Sequence, residues 1–191
     1  DKKMSGPSMI LAEIGTHAYH LMRYVSDLEV KEVAAEVNSL SPELSVDDNA
    51  FLILRMNNKA RGSIWVSSAA TGGENGLKIR VYGSLGAVEW FQDEPNHLKY
   101  TELGQPMKMI TRASNSVSDL SIKSSRLAAG HPEGFFEAFA NIYTEFAEKI
   151  HMSNRNNKKQ IFPSIDDGVK GIKFIFAAKK SSNRNSKWIK L

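Results

Sequence analysis

Leu77-Lys78-Ile79-Arg80-Val81-Tyr82, followed by Gly83-Ser84-Leu85-Gly86 and then Ala87-Val88-Glu89-Trp90-Phe91, is the stretch that decides how the middle of this chain folds. Its first six residues alternate apolar and polar with period two. That period predicts a strand burying Leu77, Ile79 and Val81 on one face and turning Lys78 and Arg80 to the other. The glycine-flanked link is too short for a crossover between parallel strands, so the next apolar run returns antiparallel.

The same pattern extends outward in both directions. Val30 to Val37, Ala50 to Met56, Gly62 to Ala69, Leu98 to Glu102 and Met107 to Thr111 read as further strands. They are separated by turn material such as Asn57-Asn58-Lys59, Gly72-Gly73-Glu74-Asn75-Gly76 and Pro95-Asn96. Helical spacing brackets this run. From Ala12 to Leu28, Ile14, Ala18, Leu21, Met22 and Val25 form an apolar stripe, beside a second stripe of Glu13, His17, His20 and Tyr24. Pro132 suits the first turn of a helix whose apolar face is Phe135, Phe136, Phe139, Ile142, Tyr143, Phe146 and Ile150, read as mostly core. A last helix, capped by Ser164 with Asp167 at its positive end, runs through Val169, Ile172, Ile175 and Phe176 to about Ser182. Serine-rich residues 113–130 form a long excursion without periodicity, and 153–160 a polar loop.

A length of 191 residues with 41% hydrophobic content fits one compact domain with a real core. No run approaches the roughly 20 apolar residues that span a bilayer, and the first residues lack a secretion signal's apolar middle, so a soluble protein is expected. With no cysteine there is neither a disulfide nor a thiolate metal site, and the cytoplasm is the expected compartment. The net charge of +4 is concentrated at the C-terminus, where ten Lys or Arg between 155 and 191 stand against Asp166 and Asp167. These lysines follow a helix without interleaved aromatics, which reads as a solvated face and not as a nucleic-acid surface.

Three places can carry chemistry. Glu13, His17 and His20, at i, i+4 and i+7, would project from one side of an α-helix. There an imidazole can take or return a hydroxyl proton while a carboxylate orients it. The same trio can instead ligate a divalent metal, or form a merely hydrogen-bonded helix face. His131 stands just ahead of a helix N-terminus, where backbone N–H groups suit a hydroxyl-rich or anionic ligand, though taken alone it reads first as a capping or loop residue. Thr71 to Gly76 is rich in glycine but has no helix after it; it reads as a wide turn with Asn75 at positive φ, not as a phosphate loop.

Three segments together carry a resemblance. Glu13-Ile14-Gly15-Thr16-His17-Ala18, Arg80 through Trp90, and Gly130-His131-Pro132-Glu133-Gly134-Phe135 through Tyr143 occur in the order found in the C-terminal domain of the glucose-fructose oxidoreductase and inositol dehydrogenase (Gfo/Idh/MocA) family, which the chain resembles. The ending from Asp167-Gly168 through Trp188 is similar too.

The resemblance implies an α+β domain, dihydrodipicolinate-reductase-like, with a large, mostly antiparallel open sheet backed by helices. In the whole enzyme it follows a Rossmann domain, whose glycine fingerprint has no counterpart here. It further implies residues 1–191 as a single substrate-binding and oligomerisation domain, with NAD or NADP bound mainly by the other domain and a sugar or polyol as substrate. A homo-oligomer would form through the open sheet face, and the isolated chain would be inactive. His17 matches the family's substrate-side histidine, and Glu13 stands where the family has an aspartate, one methylene longer. His131 and Asn75 fall in stretches resembling substrate-side loops and, with His20, are the expected binding residues. The alternative from another class is a non-catalytic ligand-binding or dimerisation module on the same fold.

Overall fold

In a computed structural model, which describes residues 6–151 and 162–191, the chain is α+β. A π-helical turn at Leu11–Gly15 runs into α1 (Thr16–Ser26). The strands β1 (Val30–Asn38), β2 (Asn49–Met56), β3 (Arg61–Ser67), β4 (Lys78–Tyr82), β5 (Gly86–Phe91), β6 (His97–Glu102) and β7 (Lys108–Thr111) follow. Then come α2 (Asp119–Ser124), α3 (Phe135–His151), α4 (Ile165–Ser182) and the short β8 (Ile189–Lys190). The predicted antiparallel architecture holds at every strand pair, but the ladder is split into two four-stranded sheets, β3-β2-β1-β8 and β4-β5-β6-β7. Two compact units result: Asp1–Glu74 with Ser164–Leu191, and Asn75–Pro163.

The first unit owns the core. Along β2 the side chains alternate, with Ala50, Leu52, Leu54 and Met56 buried and Phe51 and Ile53 exposed. Register carries this to the neighbours, pairing Leu52 with Ala35 on β1 and with Ile64 on β3. One sheet face is therefore a continuous apolar layer. α4 covers it with Phe174, Ile175, Ala177 and Ala178, small residues letting the helix come close. Two α4 hydroxyls also finish the edge of β1, where β8 pairs only with Glu32 and Val33: Ala35 N–H donates to Ser181 Oγ at 2.9 Å and Val37 N–H to Ser182 Oγ at 2.9 Å. Unpaired edge groups are thereby satisfied from a helix rather than another strand.

α4 starts where its sequence predicts. Ser164 Oγ accepts from Asp167 N–H and Ser164 N–H donates to the Asp167 carboxylate, a reciprocal capping box.

The first helix differs from its expected packing. Its buried positions are Leu11, Gly15 and Tyr19, while Ile14 is 36% exposed and Val25 43%. The reason is Tyr19, whose ring stacks on Phe174 and turns that side of the helix inward. The helix ends at Asp27, which adopts left-handed backbone geometry at φ 53°.

The second unit is a four-stranded antiparallel meander, with Ile79 opposite Trp90 and Val81 opposite Val88. Leu77, Ile79 and Val81 are half-buried and Lys78 and Arg80 exposed, so the predicted alternation is present in a thinner layer. Gly86 is required by contact: a Cβ there would meet Thr101 O at 2.5 Å. On the polar face Glu89 draws together Lys99 at 2.8 Å, Arg80, and Lys78 at 3.6 Å. Hydrogen bonding from Lys99 and Arg80 holds its carboxyl at about 2.

Two expectations fail in this unit. The excursion after β7 contains a short helix, α2, capped by Ser118. α3 begins at Phe135, three residues later than Pro132, and is not core: none of its residues is buried, and its apolar face is 46–85% exposed. The amphipathic period is real, but among the described residues no layer covers the face. The predicted polar loop 153–160 lies outside the described residues.

Candidate functional site

Glu13, His17 and His20 sit on the helical segment that opens the first unit, with Glu13 and His17 exposed and His20 half-buried. The segment is not one regular α-helix. Glu13 lies in the π-turn, so its step to His17 crosses from one helical repeat to another and the simple i, i+4, i+7 spacing does not apply. Two residues hold this turn. Thr16 Oγ1 donates to Leu11 O at 3.0 Å, a carbonyl that also accepts from Thr16 N–H, and to Ala12 O at 2.8 Å. Gly15 lets the turn close on the buried Leu11: a Cβ there would meet Leu11 Cδ2 at 3.0 Å. Single π-turns inside α-helices are frequent at functional sites.

The helix itself is anchored. Arg23 donates to both oxygens of Glu29, at 2.9 and 2.7 Å, and to Asp167 on α4 at 3.2 Å. Its guanidinium carbon also lies 5.5 Å from the Tyr19 ring centroid. Lys170 reaches the same Glu29 at 2.7 Å. Arg23 holds the Glu29 carboxyl at about 2, and hydrogen bonds from Ser164, with a smaller contribution from Arg23, hold Asp167 at about 2. At the helix start, Asp47 accepts from Ser8 Oγ at 2.7 Å, Ile10 N–H at 3.0 Å and Lys179 Nζ at 3.0 Å. Glu13, His17 and His20 are thus carried on a rod fixed at both ends. Among the described residues no hydrogen bond or ion pair joins Glu13, His17 and His20, and no group of three His, Asp or Glu is arranged to hold a metal ion.

Asn75 and His131 belong to the second unit. Asn75 is exposed in the turn before β4, where the positive φ values fall on Gly72 (80°), Glu74 (47°) and Gly76 (44°) and not on Asn75, correcting the expectation for that turn. Because β4 follows, this turn cannot cradle a dinucleotide pyrophosphate as a glycine loop entering a helix does.

His131 is exposed in the 126–134 loop, four residues before α3 and so not at its N-terminus. Its N–H donates to Ala128 O at 3.2 Å and its carbonyl accepts from Arg112 Nη2 at 2.5 Å. Motif reading gives Arg112, Asn96 and Glu133 no part in holding this loop. Arg112 follows β7 with no sequence signal beyond its charge, and its importance appears only when the loop carbonyls converge on it.

The family model described as the oxidoreductase family, C-terminal alpha/beta domain, matches residues 1–191. The uncharacterized oxidoreductase YfiI of Bacillus subtilis (strain 168) is 33% identical over 195 residues, covering 99% of this chain and 50% of that protein. An oxidoreductase from Sinorhizobium meliloti, of known structure, is 45% identical with a TM-score of 0.89, over 94% of this chain and 52% of that one. An inositol dehydrogenase homologue from Azotobacter vinelandii, solved with NADH and myo-inositol, is 30% identical with a TM-score of 0.89, over 100% of this chain and 52% of that one. The chain spans about half the length of the relatives it matches.

Proposed function

The chain belongs to the Gfo/Idh/MocA oxidoreductase family as its C-terminal alpha/beta domain, and from that premise we propose that it is the substrate-binding and oligomerisation domain of an enzyme oxidising or reducing a sugar, polyol or related hydroxyl compound. One observation carries the reading: the exposed His17, which the resemblance aligns with the family's substrate-side histidine, and Glu13, which stands where the family has an aspartate, are on a helix anchored by Arg23 to α4. Such a helix can hold a general acid or base in a defined place.

The His17 imidazole accepts the proton of the reacting hydroxyl in oxidation and returns it in reduction, and Glu13 orients the substrate or the imidazole. His20 is proposed to hydrogen-bond a further hydroxyl, and His131 and Asn75, in the second unit, are proposed as separate hydroxyl-binding residues. The redox partner is NAD or NADP. The Thr71 to Gly76 turn does not fit it as a cradle, and the family resemblance implies that it is held mainly by another domain. The relative solved with NADH and myo-inositol supports both the cofactor class and the polyol class.

Oligomerisation rests on the sheet face opposite α4. There Phe51 and Trp65 are more than half exposed and stack with centroids 5.7 Å apart, next to the equally exposed Ile53. Apolar clusters of this kind on an exposed sheet face favour association with a second copy.

The deciding experiment is reduction of NAD and of NADP by the full-length protein across aldoses, inositols and other polyols, with the 191-residue chain as control. Turnover by the long protein alone is the expected result. Silence from a folded, cofactor-bound long protein would instead make this a binding or dimerisation module on an enzyme fold.

A further inference from the structure

In an exposed loop of the second unit, one guanidinium gathers the backbone. Arg112 donates from Nη1 to Leu127 O at 3.0 Å and from Nη2 to Ala128 O at 3.2 Å and His131 O at 2.5 Å. Its Nε donates to Asn96 Oδ1 at 3.1 Å. It also pairs with Glu133 at 3.1 Å, and the two side chains are only 15% and 7% exposed in a stretch where every residue from Arg126 to Pro132 is exposed.

Glu133 completes the circuit. Its carboxylate accepts from Arg126 N–H at 2.5 Å and from Leu127 N–H. Its own backbone is clasped by Asn96, which accepts from Glu133 N–H at 3.0 Å and donates to Glu133 O at 2.9 Å. A planar fork with several fixed donors is what such convergence needs; a lysine ammonium donates from a single point.

We propose that Arg112 is a positioning residue whose guanidinium sets the conformation of the 126–134 loop and thereby the placement of His131, a proposed hydroxyl-binding residue. The proposal rests on the polyol-oxidoreductase reading for its substrate, but not for the loop itself. Arg112 touches no reacting atom; it acts through the loop carbonyls. Its loss therefore weakens substrate binding more than the chemical step.

The test uses the full-length protein and the polyol it turns over fastest, comparing Arg112→Lys, Arg112→Gln, His131→Ala and the double variant Arg112→Gln/His131→Ala. Both Arg112 variants are expected to raise KM about tenfold or more, with kcat and cofactor affinity within about twofold. The double variant is expected to be no worse than His131→Ala by more than about twofold, since both changes remove the same effect. Wild-type KM in Arg112→Lys, or a double variant whose effect is the product of the two single ones, would overturn the proposal.

Hydrogen–deuterium exchange of the 126–134 segment in the same samples gives a readout without turnover. It is expected to accelerate about tenfold or more in Arg112→Lys while the global melting temperature holds. Unchanged exchange overturns the role of Arg112 whether or not any polyol is a substrate, whereas accelerated exchange with no turnover on any polyol rejects only the choice of substrate. Should Arg112→Gln fail to fold, Arg112→Lys carries both measurements.

Discussion

Tyr19 on α1 and Phe174 on α4 stack face to face, their ring centroids 4.2 Å apart and their planes 13° from parallel. Both rings are buried, and this contact joins the helix bearing Glu13 and His17 to the helix covering the main sheet. Phe174→Ala is expected to destabilise the first unit by about 3–5 kcal/mol through lost burial and the cavity left behind. Urea unfolding followed by circular dichroism measures it; a loss below about 1 kcal/mol would mean that α1 is held by its polar anchors alone.

Acid should loosen the same anchor. The Glu29 and Asp167 carboxyls are both held at about 2, below their ordinary values of 4.5 and 3.8, so the folded state binds fewer protons than the unfolded one. Their contribution is fully present above the unfolded values and disappears as pH falls through the folded ones, from about pH 5 to pH 2. Arg23→Met should flatten the Glu29 part of this dependence and leave most of the Asp167 part, which Ser164 maintains. Urea midpoints across that pH range check the prediction, and an acid limb unchanged in Arg23→Met would refute it.

In the full-length protein, His17→Ala should lower turnover by a factor of about 100 or more with cofactor binding unchanged, as loss of a general acid or base does. Glu13→Asp should be tolerated, since it restores the residue usual in the family. Steady-state kinetics decide both points, and unaltered turnover in His17→Ala would remove that imidazole from the mechanism.

Trp65→Lys puts a charge into the exposed aromatic stack with Phe51 and should convert an oligomer to monomers without unfolding the chain. Light scattering on the wild type and the variant reads the result. An oligomer that survives the substitution would place the interface elsewhere.

Much of this architecture is legible locally. The alternation from Leu77 to Tyr82 and the short link to Ala87 predict a hairpin that the structure contains, because period and turn length are properties of adjacent residues. The Ser164 and Asp167 cap is legible for the same reason. The π-turn is not. It depends on the buried Leu11 meeting Gly15 and on one threonine hydroxyl serving two carbonyls, and no period announces either. The apolar face of α3 is readable as a pattern, but its exposure is a fact about which surfaces the rest of the chain supplies. Nor does sequence reveal Arg112 as a hub, since its partners lie 15 to 21 positions away in an irregular loop and 16 positions back at Asn96.

From its sequence alone, this protein's strand and helix segments, its antiparallel connections, its family and the candidate pair Glu13 and His17 can be read, because backbone periodicity and short motifs act over a few residues. Only the tertiary structure decided that the strands divide into two sheets, that Tyr19 and not Ile14 faces the core, and that the loop carrying His131 is tied to one guanidinium. Those outcomes depend on which distant surfaces meet, and contact energy is indifferent to separation along the chain.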